Sequence, residues 1–165
     1  MGSDDNSDFY IAVQTEDFDL AAEYRKLREL SENPGAIAIF SGLVREFCSP
    51  DENAGNNQSL TLEHYPGMTE KALQGIVDQA AERWPLKGCR VIHRVGRLVR
   101  GDQIVLVAVS SSHRDAAFSA AEFVMDYLKT SAPFWKKQQT ETASEWVASK
   151  TEDHQRAARW KTAGT

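Results

Sequence analysis

Apolar positions recur along this chain with two spacings, and the spacing changes wherever turn residues intervene. Phe9–Val13 is a short apolar strand candidate. Asp19 stands as an N-cap before Leu20–Leu30, where Leu20, Tyr24 and Leu27 share one helical face. Asn33-Pro34-Gly35 is a turn, and Ala36–Phe40 (AIAIF) has the length and composition of a buried strand. Residues 46–58 (EFCSPDENAGNNQ) form a loop with few means of ordering itself. Alternation in Ser59–Tyr65 predicts a strand with Leu60 and Leu62 on one face, ended by Pro66-Gly67. A helix follows over Thr69–Trp84, with Ala72, Leu73, Ile76, Val77 and Ala80 inward. Arg90–Val95 and Arg97–Val99 predict further strands, and Ile104–Val109 (IVLVAV) is the most apolar run and the expected central one. Ser112 with Asp115 forms a capping-box pattern that opens the next helix, whose expected buried stripe is Phe118, Ala121, Met125 and Leu128. Trp146-Val147 and Ala157–Trp160 anchor a charged tail, read as a strand and then a helix.

Strands and helices mixed without strict alternation predict an α+β fold. With no internal repeat and no linker, the 165 residues form one domain. Residues 1–8 are expected to be a disordered tail, 9–160 a single catalytic domain, and 161–165 a C-terminal tail.

Composition narrows the function. The net charge of −5 argues against a general nucleic-acid binder, so any anion site must be a local cluster of basic groups. No apolar run approaches the ~20 residues of a membrane span. The start, MGSDDNSDF, has neither the basic region nor the apolar core of a secretory signal, so a cytoplasmic protein is expected. Cys48 and Cys89 form neither a disulfide framework nor a zinc site. No metal or cofactor is expected, because ligand-spaced pairs, a Walker loop, a dinucleotide fingerprint and a nucleophile elbow are all missing.

The stretch Met125–Lys137 (MDYLKTSAPFWKK) concentrates the candidate chemistry. Pro133 forbids a straight helix. Ser131-Ala132 is then the expected hinge, with Pro133 in the first turn of a short second helix. Lys129 and Lys136 flank the bend and would face each other across a concave corner, an anion site in which each ammonium disfavours the other. The plainer reading has both lysines solvated. His113-Arg114 follows the central strand and opens a helix, where backbone N–H groups and the helix dipole favour anions. Arg45 lies just past a buried strand. His93 is in register with Val91 and Val95 and reads as packed. Cys48 near Arg45 is a candidate nucleophile with no local base.

These segments together resemble the large, catalytic subunit of molybdopterin synthase. The resemblance rests on LTLEHYPGMTEKAL at 60–73, RWP at 83–85, VIHRVG at 91–96, GD at 101–102, SSHR at 111–114 and MDYLKTSAPFWKK at 125–137, and it covers roughly Gly35 to Trp160. It implies an α/β hammerhead-type fold with an additional small antiparallel sheet. It also implies a homodimer within a heterotetramer that holds two small ubiquitin-like sulfur carriers. Each carrier inserts a C-terminal Gly-Gly thiocarboxylate, and sulfur passes to cyclic pyranopterin monophosphate to form the molybdopterin dithiolene. By the same resemblance, Lys129 and Lys136 are catalytic. Leu43, Val44, Arg45, His113, Arg114, Lys129, Lys136, Lys137 and Gln138 bind substrate, and Phe40 and Met125 line the pocket. Leu43, Gln138 and Lys150 depart from the family pattern, where Lys, Glu and Arg occur. The cysteines need no role, since sulfur arrives activated on the partner. A second reading is a non-catalytic docking module for a ubiquitin-like tail, with Phe134 and Trp135 as its surface. A third is a phosphate-ester enzyme acting through Cys48.

Overall fold

Period-two alternation decides the architecture. In the computed structural model, which describes residues 5–45, 59–139, 144–147 and 151–162, four strands with apolar side chains on both faces form the main sheet. These are β1 (Phe9–Gln14), β2 (Ala36–Leu43), β4 (Leu86–Arg94) and β6 (Gln103–Ser111), in the order β1-β4-β6-β2. β1 runs parallel to β4, whereas β6 is antiparallel to both β4 and β2. Cys89, Val91, Val105, Val107 and Val109 point to one face, beneath α2 (Met68–Arg83) and α3 (Arg114–Ser131). Ile92, Leu106 and Ala108 point to the other, beneath Leu27 of α1 (Leu20–Leu30). Such two-sided burial is what near-continuous apolar strands require.

The second sheet, β5-β3-β7-β8, is wholly antiparallel. It is built from β3 (Ser59–His64), β5 (Gly96–Val99), β7 (Phe134–Gln139) and β8 (Ser144–Val147). Leu60, Leu62 and Leu98 cover its inner face together with Val44 and Val95. The expected α+β class with an additional small antiparallel sheet therefore holds. The last helix, α4 (Thr151–Thr162), docks on α3 through Asp126, which accepts from Arg159 Nη2 at 2.9 Å and Trp160 Nε1 at 2.7 Å. Trp160 also meets Trp84 and Phe123 edge-on.

In two helices only part of the expected apolar stripe is buried: Leu27 in α1, and Ala121 and Leu128 in α3. In α1, Leu20 and Tyr24 are partly exposed, and the buried pair is Glu23 and Leu27. The reason is Arg90, fully buried on β4, whose Nε donates to Glu23 Oε2 at 2.6 Å and whose ring neighbour is Tyr10. A buried guanidinium needs a carboxylate, so α1 rolls to supply one. Arg90 also holds residues at the start of the chain, donating to the carbonyls of Asp5 and Ser7 at 3.2 Å each. In α3 the buried residues are Ala117, Ala120, Ala121, Phe123, Val124, Asp126 and Leu128, while Phe118 is 65% exposed and Met125 only partly buried. Small side chains let α3 lie close to the sheet, which leaves the larger Phe118 outside.

Candidate functional site

Lys129 lies in the last turn of α3, which ends at Ser131. Ala132 is extended (φ −83°, ψ 130°), as a residue before proline must be. The expected short second helix after Pro133 does not form. Phe134 instead enters β7 and pairs with His64, and Lys136 pairs with Leu62. Aromatic Phe134 and Trp135 suit a strand, and the free edge of β3 offers the ladder that the helix ladder loses. Thr69 pins the bend. Its buried hydroxyl donates to the Pro133 carbonyl at 2.9 Å and accepts from the Tyr65 N–H at 3.0 Å. Alternation along β7 puts Phe134 inward and Trp135 outward, 45% exposed. The two therefore do not share one docking surface.

Both lysines act on a single buried imidazole. His93 is 6% exposed and stacks on Phe134 with centroids 3.9 Å apart and planes 21° from parallel. Its Nδ1 lies 2.8 Å from the Arg94 carbonyl, an acceptor only, so Nδ1 carries the proton and Nε2 is a bare acceptor. Burial pushes its pKa down to about 3, and the charges of Lys129, Lys136 and His64 push the same way, against the Arg94 hydrogen bond. The packed role expected for His93 is thus correct. Lys129 and Lys136 thus flank a bend between helix and strand, where a bend between two helices had been expected.

The exit of β2 brings Arg45 to this end of the main sheet. Leu43 pairs with Gln103 and His93 with Val105, so β2 and β4 flank β6 at the same level, two strand spacings or about 10 Å apart. Arg45 and Leu43 are exposed. Val44 differs: its side chain is buried in the core of the small sheet, its N–H donates to the Asp102 carbonyl at 2.9 Å, and its carbonyl accepts from the Gly101 N–H at 2.7 Å. It anchors the strand exit that presents Arg45. Phe40 is 44% exposed on the edge strand β2, and Met125 packs against the main core. Lys137 and Gln138 pair with Thr61 and Leu60, and their side chains lie outside the described residues, as do Cys48 and Lys150. Cys89 is fully buried, which pushes its thiol up to about 12.

His113 and Arg114 lie elsewhere in the chain. They sit at the opposite end of α3, 16 residues before Lys129, or about 24 Å at the helical rise. His113 is the N-cap but makes no side-chain capping bond, so the expected Ser112–Asp115 capping box is absent and the first-turn N–H groups are not capped by it. An open depression of about 370 Å³ lies there, lined by Gly35, Ala36, Ser112, His113, Arg114 and Asp115. Gly35 makes it possible: a Cβ there would come within 2.0 Å of the Ser112 carbonyl oxygen. Arg114 is 85% exposed. The basic groups therefore fall into two sets, at the two ends of one helix. Thr69 was not singled out from sequence, although it lies inside the quoted motif at 60–73.

Among the described residues no three His, Cys, Asp or Glu side chains converge as a metal group, and no helix is long and apolar enough to cross a membrane. Fold and site define an α+β protein that carries Lys129 and Lys136 on either side of a helix–strand bend, and His113 and Arg114 at the N-terminus of the same helix. The chain belongs to the MoaE protein family, whose model matches residues 13–131. It is 57% identical over 155 residues to the molybdopterin synthase catalytic subunit of Vibrio cholerae, covering 93% of this chain and 99% of that one. Among solved structures, the molybdopterin cofactor biosynthesis protein E of Burkholderia multivorans matches with a TM-score of 0.77 at 47% identity, covering 93% and 97% of the two chains. The molybdopterin synthase of Staphylococcus aureus matches with a TM-score of 0.72 at 34% identity, covering 86% and 98%.

Proposed function

We propose that the chain is the catalytic subunit of a molybdopterin synthase, a cytoplasmic sulfurtransferase. It moves sulfur from the C-terminal thiocarboxylate of a small ubiquitin-like carrier onto cyclic pyranopterin monophosphate. The observation that carries this reading is the match to the family model over residues 13–131 together with 57% identity to a molybdopterin synthase catalytic subunit, with Lys129 and Lys136 standing on the two sides of the Pro133 bend. The substrate phosphate and the thiocarboxylate are both anions, and paired ammonium groups with Arg45 offset their repulsion and hold them in attack geometry. Lys129 stabilises the charge that develops as the acyl–sulfur bond breaks. The carrier brings the sulfur, so the inert thiol of Cys89 has no part.

The active unit is a homodimer, and within it the two basic sets meet. About 24 Å separates His113 from Lys129 along α3, so the His113-Arg114 pair serves the lysine crevice of a second copy. The surface suits such an assembly. β2 is an edge strand that exposes Ile39, Phe40 and Leu43, and Phe118 stands one turn from Arg114 on the outer side of α3. Two carriers on one dimer complete a heterotetramer. Purified chain mixed with thiocarboxylated carrier and pyranopterin substrate should form molybdopterin. Lys129→Ala should abolish product while carrier binding stays within about threefold. Full activity in that variant would refute the role.

A further inference from the structure

The reaction as described gives no task to Gly101-Asp102, a pair inside the quoted motifs. The pair closes the turn between β5 and β6. Gly101 has φ +89°, a left-handed conformation that suits glycine, and a Cβ there would meet nothing within 4 Å. The Asp102 N–H donates to the Val99 carbonyl at 3.0 Å, and the Asp102 Oδ2 accepts from the Val99 N–H at 2.9 Å. Backbone and side chain of one residue thus lock the turn. The locked turn grips the exit of β2. The Gly101 N–H donates to the Val44 carbonyl at 2.7 Å, and the Asp102 carbonyl accepts from the Val44 N–H at 2.9 Å. Just upstream, the pairing of β2 with β6 slips at Gly42/Leu43, so Gly42 faces Val105 and Leu43 faces Gln103. Such a bulge re-aims the chain that follows it. Arg45 is therefore the first residue past a bulge and a two-bond clamp, exposed beside the buried Val44. An arginine on an unheld strand end samples many directions and loses them when it meets an anion. One whose backbone is already fixed loses fewer, so the anion binds more tightly.

We propose that Asp102 is a positioning residue for sulfur transfer: by locking the turn at 99–102 onto Val44, it fixes the direction in which Arg45 leaves β2 to meet the phosphate of the pyranopterin. The proposal rests on the sulfur-transfer reading and on the place of Arg45 in it. Asp102 holds the Val99 N–H, and its effect reaches the substrate only through Arg45.

A double-mutant cycle tests it in the complete complex with thiocarboxylated carrier. Arg45→Ala should lower kcat/KM for the pyranopterin about tenfold to a hundredfold, the scale of a lost hydrogen bond between charged groups, with KM for the carrier within about twofold of wild type. Asp102→Ala should lower kcat/KM for the pyranopterin about threefold to tenfold and likewise spare the carrier. Asp102→Asn, whose amide oxygen still accepts from the Val99 N–H, should stay within about twofold of wild type. In an Arg45→Ala background, Asp102→Ala should add less than about 1.5-fold, because the direction of a missing side chain no longer matters. Gly101→Ala strains the same turn by another route, and should show the same selective loss and the same dependence on Arg45 even if Asp102→Ala does not fold. Losses that multiply in the double variants would overturn the proposal, because a purely structural role is indifferent to Arg45. So would an Asp102→Asn variant as impaired as Asp102→Ala. An impaired Arg45→Ala beside Asp102→Ala and Gly101→Ala at wild-type kcat/KM leaves the role of Arg45 standing and removes only this inference. A fully active Arg45→Ala removes the ground on which it rests.

Discussion

Thr69→Val is the most informative single change to the scaffold of the crevice. Valine has the shape of threonine and fits the same fully buried space, so nothing is lost except the hydroxyl. That hydroxyl bridges the end of β3 to the helix–strand bend, through the Tyr65 N–H at 3.0 Å and the Pro133 carbonyl at 2.9 Å. Both backbone groups would lose this partner. A polar group stripped of its partner costs about 1–3 kcal/mol, and the partial burial of these bonds favours about 1–1.5 for each, so the sum is about 2–3 kcal/mol. For a domain of this length each kcal/mol lowers Tm by about 2–4 °C, which gives a loss of roughly 5–10 °C. Thermal and urea unfolding followed by circular dichroism would measure it. Thr69→Ser keeps both bonds and should lose only about 1 kcal/mol for its methyl group. The bend sets the spacing of Lys129 and Lys136, so sulfur transfer should fall more in the valine variant than in the serine one. A valine variant that melts within about 1 °C of wild type would refute the claim that this hydroxyl holds the corner.

Two further outcomes follow from the same geometry. The His93 imidazole titrates near 6.5 when unfolded and about 3 when folded, so on acidification the unfolded chain takes up the proton first. Its neutral burial is therefore without cost above 6.5 and increasingly destabilising as pH falls toward 3. At about pH 5 the loss is about 2 kcal/mol, and a urea midpoint that falls between about pH 7.5 and 5 in wild type but much less in His93→Phe would bear it out. Asp126→Asn weakens the acceptor that holds both Arg159 and Trp160, and should release α4 from α3 at a cost of about 1–2 kcal/mol. Limited proteolysis should then cut the C-terminal helix several-fold faster, and an unchanged cleavage rate would contradict the latch.

Local signals carried most of the fold. The strands at 36–43, 59–64 and 103–111 and the helix at 68–83 follow from alternation, periodicity and Pro/Gly punctuation, and each closes within a few residues of its expected ends. Failures came where a long-range partner outvoted a local rule. Pro133 is good chemistry for a first helical turn, but β3 lies beside it with an open ladder, so the chain extends. Leu20 and Tyr24 make an acceptable apolar stripe, but a buried guanidinium on β4 draws Glu23 inward. Phe118 belongs to the apolar pattern of α3 and still faces out, because the alanines opposite the sheet set the rotation of the helix. The candidate site was legible as residue types and motif spacing. Its division between the two ends of α3 was not, since sequence proximity to a helix says nothing about which end meets which neighbour.

The central claim is that one working site needs the lysine end of one copy and the His113-Arg114 end of another. Complementation between two inactive variants measures this directly. Lys129→Ala and Arg114→Ala chains would be prepared separately, then unfolded and refolded together in equal amounts. A mixed dimer would hold one site with both residues intact and one with neither. Half of the dimers would be mixed and each would carry one working site of two, so about a quarter of wild-type molybdopterin formation should return. Activity no higher in the mixture than in either variant alone, with mixed dimers present, would contradict the account.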